Sequence, residues 1–138
     1  MQLSLNEAKL FRVLTDIFGH DHVIPKMRVA ALIPDGIPSE MKDKVHESWP
    51  QKNHCLFTVV NHHDTPRLVV EFYNGFADAV DPIEEEHQRI LPLLLESAGI
   101  PYITISTLEF EEALSPESVI KVPELLRLRL QDTFEGET

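Results

Sequence analysis

Two apolar, β-rich runs constrain this chain most: Cys55-Leu56-Phe57-Thr58-Val59-Val60 and Leu68-Val69-Val70-Glu71-Phe72-Tyr73. Between them stands the polar segment His62-His63-Asp64-Thr65. Short runs of β-branched and aromatic residues on either side of a turn predict a β-hairpin. Glu71 is the only acid in the second run and stands near its end. A carboxylate in an apolar strand costs free energy unless it is paired, metal-bound or turned out of the core.

The elements around the hairpin follow from caps and periodicity. Ser4 and Glu7 form a capping box ahead of a helix over 5–18, with Ala8, Phe11, Leu14, Ile17 and Phe18 on its apolar face and Gly19 ending it. Val23-Ile24 and Arg28 to Ile33 read as a first strand, bent at Pro25 and closed by Pro34. From Pro34 to Asn53 the chain is polar, with a short helix expected over Ser39 to Ser48. Asp81 as N-cap and Pro82 at the first turn open a helix to residue 98, with Ile83, Ile90, Leu91, Leu94 and Leu95 as its stripe. Pro92 within it predicts a kink or a restart. Ala98-Gly99 closes it, and Tyr102 to Ser106 reads as a short buried strand. Leucines at 125, 126, 128 and 130 predict a terminal helix from Pro123 to Gln131, followed by a frayed tail over 132–138.

The order is helix, three strands, helix, strand. A crossover helix long enough to return the chain parallel to the hairpin makes this an α/β fold with a mixed sheet flanked by helices. At 138 residues the chain fits a single domain, with a core over 5–106 and a helical extension over 107–131. Cys55 is the lone cysteine, so no internal disulfide and no Cys-rich zinc site forms. A net charge of −11, from 23 acids against 12 Lys and Arg, repels nucleic acid unless basic residues converge. The patch that would be required is Lys26, Arg28, Lys42, Lys44, Lys52 and Arg67. No stretch has the pattern of a secretory signal or the length of a membrane span, so a cytoplasmic protein without membrane partners is expected.

Four segments, in order, carry a resemblance: Glu7-Ala8-Lys9-Leu10-Phe11, His54-Cys55-Leu56-Phe57-Thr58-Val59, Val69-Val70-Glu71-Phe72-Tyr73 and Ala98-Gly99-Ile100-Pro101-Tyr102-Ile103. The chain resembles the PD-(D/E)XK nuclease superfamily, the restriction-endonuclease-like αβββαβ fold, and more closely the group of domains of unknown function 2726. The resemblance implies Glu71 as a metal ligand and Glu7 as an acid of the same site. Such nucleases hold Mg²⁺ between strand carboxylates, which orient the phosphate and activate water. Here Leu56 stands where the metal-binding Asp is expected, and Tyr73 where a Lys or Asp follows the Glu. The expectation is a nuclease fold that has lost catalysis and serves a protein-binding or regulatory role, with no cofactor.

Two alternatives stay open. One is an Mg²⁺-dependent nuclease with migrated ligands, Glu71 and Glu7 joined by Asp64 or Asp78. The other is a nucleic-acid-binding module without chemistry. Of the remnant candidates Glu71, Glu7 and Tyr73, Glu7 already has a structural task as a cap, and Glu71 reads equally as an exposed or salt-bridged residue at a sheet end. His87 and Arg89, one turn into the crossover helix, would reach Glu71 if that helix covers the strand end. His20-Asp21-His22 and His62-His63-Asp64 lack a recognised metal-ligand spacing and read as solvated loops. The leucine-rich terminal helix offers a surface for a partner protein or a homodimer, with packing on its own core as the other reading.

Overall fold

The structure, a computed structural model, describes residues 3–73, 82–118 and 121–135; for Tyr73, Glu84 and 131–135 it describes the backbone alone. Ser4 caps α1 (Leu5–Phe18) by the expected reciprocal box with Glu7, and Gly19 ends the helix at φ +101°. A tight turn over His20–His22 leads into β1 (Val23–Pro25). Two single-turn helices follow, α2 (Val29–Leu32) and α3 (Trp49–Lys52). Strands β2 (Phe57–Val60) and β3 (Pro66–Tyr73) form the hairpin, and α4 (Pro82–Ser97) crosses over to β4 (Tyr102–Ser106). Helices α5 (Thr107–Leu114) and α6 (Val122–Glu135) complete the described chain.

The sheet has the order β1-β2-β3-β4. β1 pairs antiparallel with β2, β2 antiparallel with β3, and β3 parallel with β4, with Glu71 opposite Thr104. Alternation along β3 divides the core. Leu68 and Val70 join Phe57, Ile103 and Ile105 in a cluster with Leu10, Leu14, Phe110 and Leu126, while Val69 joins Val29, Trp49, Ile90, Leu91 and Leu94. Helices α1, α5 and α6 therefore cover one face and α2, α3 and α4 the other. Glu71, two residues beyond Val69, falls on the α4 face.

Several expectations are corrected. Residues 29–32 are helical, because Val29, Leu32 and Ile33 are buried while Ala31 is exposed, a spacing of three and four rather than two. Between Ser39 and Ser48 only a tight turn over Ser39–Met41 forms. Met41 and Val45 alone reach the core from that stretch, too little burial to hold a helix. In α1 the buried stripe centres on Leu10 and Leu14, which leaves Ala8 and Ile17 exposed. In α4 Ile83 is 75% exposed while Ile90, Leu91, Leu94 and Leu95 are buried. α4 runs through Pro92 without a restart, and α6 continues to Glu135, beyond the expected end at Gln131. The Asp81 cap and the Asn74-Gly75 turn lie outside the described residues.

α4 ends in a Schellman motif, with Gly99 at φ +72° and the Ile100 N–H reaching the Leu95 carbonyl at 2.9 Å. That ending delivers Pro101 and Tyr102 directly to the parallel register beside β3.

Candidate functional site

Glu71 is 8% exposed and has both carboxylate oxygens engaged. Its Oε2 accepts the Leu56 backbone N–H at 3.0 Å, and its Oε1 stands 2.9 Å from His87 Nε2. His87 reaches it because α4 packs over this face of the sheet, and the His87 ring lies 5.8 Å, centroid to centroid, from Trp49 of α3. Arg89 stays exposed. The charge of Glu71 is felt nearby. Burial first, and Glu71 second, push up both the Cys55 thiol and the Tyr102 hydroxyl. Cys55 is thus a protonated, buried core residue.

Glu71 and Glu7 line one hollow of about 400 Å³. Its wall includes Lys26, Lys52, Asn53, His54, Leu56 and His87. Glu7 lies 3.4 Å from Lys26 Nζ while its Oε1 accepts the Ser4 N–H at 2.8 Å. Burial pushes the Glu7 carboxyl up, but the Ser4 N–H and the Lys26 ammonium together hold it below its ordinary value. Lys26 carries φ +55°, a left-handed conformation uncommon outside glycine. Its backbone is fixed there by its N–H to the Leu56 carbonyl at 2.9 Å. The Asn53 side chain donates to the Trp49 carbonyl at 2.9 Å and so ties the Lys52–His54 wall to α3.

The resemblance implied one site for Glu71 and Glu7, and both side chains line this hollow. Leu56, the residue in place of an acid, buries its side chain with the α1-side core and meets Glu71 through its N–H. The Tyr73 side chain and Asp78 lie outside the described residues. Asp64 sits in the hairpin turn, at φ +59°, with about 17 Å of β3 between Pro66 and Glu71. It does not reach the hollow. Of the six basic residues considered as a patch, Lys26 and Lys52 line this hollow, Arg67 lines a different one, and Arg28, Lys42 and Lys44 line neither. Sequence reasoning missed Lys26, Lys52 and His54 as neighbours of Glu71. Their one local signal is the Pro25-Lys26 break, which forces β1 to end beside Leu56.

The two histidine segments do meet. The His22 and His62 rings are 6.4 Å apart and His62 and His63 5.1 Å, and His22 Nδ1 donates to the Val60 carbonyl at 3.0 Å. Among the described residues, however, no group of three or more His, Cys, Asp or Glu side chains is arranged to hold a metal.

Fold and site together define a mixed α/β domain with a polar hollow beside the carboxyl-terminal end of β3. The chain belongs to the family described as protein of unknown function, DUF2726, whose model matches residues 2–120. No curated protein and no solved structure matches the chain. Among the described residues no helix is long and apolar enough to cross a membrane.

Proposed function

We propose that this is a domain of the PD-(D/E)XK nuclease-like fold with a degenerate active site, acting by binding a partner protein or in a regulatory role rather than by cleavage. The observation that carries the reading is the state of Glu71. Its oxygens, which would serve a metal in a nuclease, are taken by the Leu56 N–H and by His87. A hard divalent cation needs several converging oxygens. Leu56 supplies none from its side chain, and Glu7 is occupied by Ser4 and Lys26. The outward side of α6, where Leu128 is 37% exposed while Leu126 is fully buried, is the surface offered to a partner or a second copy.

One observation favours a metal-dependent nuclease instead: Glu7 and Glu71 line the same hollow. The test is a cleavage assay with single- and double-stranded DNA and RNA in Mg²⁺ or Mn²⁺, on wild type and Glu71→Ala. The expected outcome is no cleavage by either. Cleavage by wild type that disappears in Glu71→Ala would overturn the non-catalytic reading.

A further inference from the structure

Both acids around the hollow are committed, and of the donors on its wall Lys26 is paired with Glu7 while the Lys52 and His54 side chains are unpaired among the described residues. Glu71 is held by Leu56 and His87, and Glu7 by Ser4 and Lys26. The Lys52 ammonium and the His54 ring, on the wall of the same hollow, have no ion-pair or hydrogen-bond partner among the described residues. Lys26 touches Glu7 at the long distance of 3.4 Å, which leaves the other donors of its ammonium free to turn inward. Arg28, the antiparallel bridge partner of His54, does not line the hollow. A left-handed lysine is a costly way to place a cation, and such outliers cluster at ligand sites.

We propose that this hollow binds one phosphate group of a small phosphorylated molecule, with Lys26, Lys52 and His54 as donors. The proposal rests on the non-catalytic reading of the same pocket. A phosphate offers three oxygens to donors arriving from the end of β1, from the end of α3 and from His54, whereas a carboxylate offers two. The ligand is small rather than a nucleic acid for an electrostatic reason. A polyanion spans a surface whose net charge is −11, while one phosphate senses mainly the local cations.

Calorimetric titration of the whole chain tests this, with inorganic phosphate, ribose 5-phosphate, adenosine monophosphate, acetate and a short single-stranded oligonucleotide as probes. Saturable one-to-one binding of phosphate or its monoesters is expected, together with a loss of about tenfold in Lys52→Ala and in Lys26→Gln. Arg67→Ala, in the other hollow, should bind as wild type does. Monoesters tighter than inorganic phosphate identify the esterified group as the ligand; equal affinity identifies the free ion. Lys52 is exposed, so Lys52→Ala reports on binding even if Lys26→Gln disturbs the fold. Three results would each sink the proposal: no saturable heat up to about 10 mM phosphate, unchanged affinity in Lys52→Ala, or tighter binding of acetate or the oligonucleotide. An empty titration without nuclease activity removes the phosphate site alone. Cleavage lost in Glu71→Ala removes the non-catalytic reading, whatever the titration gives.

Discussion

Glu71 is a buried carboxylate satisfied by one backbone N–H and one imidazole, and its environment falls to the residues that supply them. Removing His87 strips one oxygen of its partner while the Leu56 N–H remains. His87→Ala should therefore lower stability by about 1–3 kcal/mol, read as a shifted denaturant midpoint at constant slope. An unchanged midpoint would mean that the pair contributes nothing. Glu7 gives a pH dependence. Its folded value lies below the ordinary 4.5, so its contribution is fully present above that pH and is lost as pH falls through the lower folded value. Glu7→Gln should flatten the stability–pH profile below about pH 4.5 and leave the slope at neutral pH alone, by a modest amount because the pair is partly exposed. A wild-type profile already flat in that range would contradict the Ser4 and Lys26 contacts.

At the scale of elements, Ser106 does two jobs. It ends β4 opposite Tyr73, and it caps α5 with Glu109, whose other oxygen takes Arg129 of α6 at 2.6 Å. Ser106→Ala should cost about 1 kcal/mol in a urea melt; no loss would show that the box is replaceable by water. Elements with strong local chemistry were legible in the sequence. The Ser4 box and Gly19 bounded α1 to the residue, and the hairpin was legible, although β2 begins at Phe57 rather than Cys55 and β3 at Pro66 rather than Leu68. Arg28 to Ile33 misled because Val29 to Ile33 is apolar throughout, so its own pattern fixes no period, and only the core that Val29, Leu32 and Ile33 meet selects the helix. Glu71 was legible as an oddity. Lys52 and His54 were not legible as its neighbours, because the α3 turn that folds them back is held by Asn53 and Trp49 across a stretch with no periodicity.

At the scale of the whole molecule, helices on both faces of a mixed sheet leave the carboxyl-terminal end of β3 as the place where α1, α3 and α4 contribute polar side chains to one hollow. Ligands of open α/β sheets bind in such crevices. The contents of this one, two engaged acids beside the Lys52 and His54 side chains, which are unpaired among the described residues, suit an anion better than a divalent cation. The most direct measurement is a calorimetric titration of wild type and Glu71→Ala with Mn²⁺ near neutral pH. No saturable binding by either protein is expected. One-to-one Mn²⁺ binding by wild type that vanishes in Glu71→Ala would contradict the account.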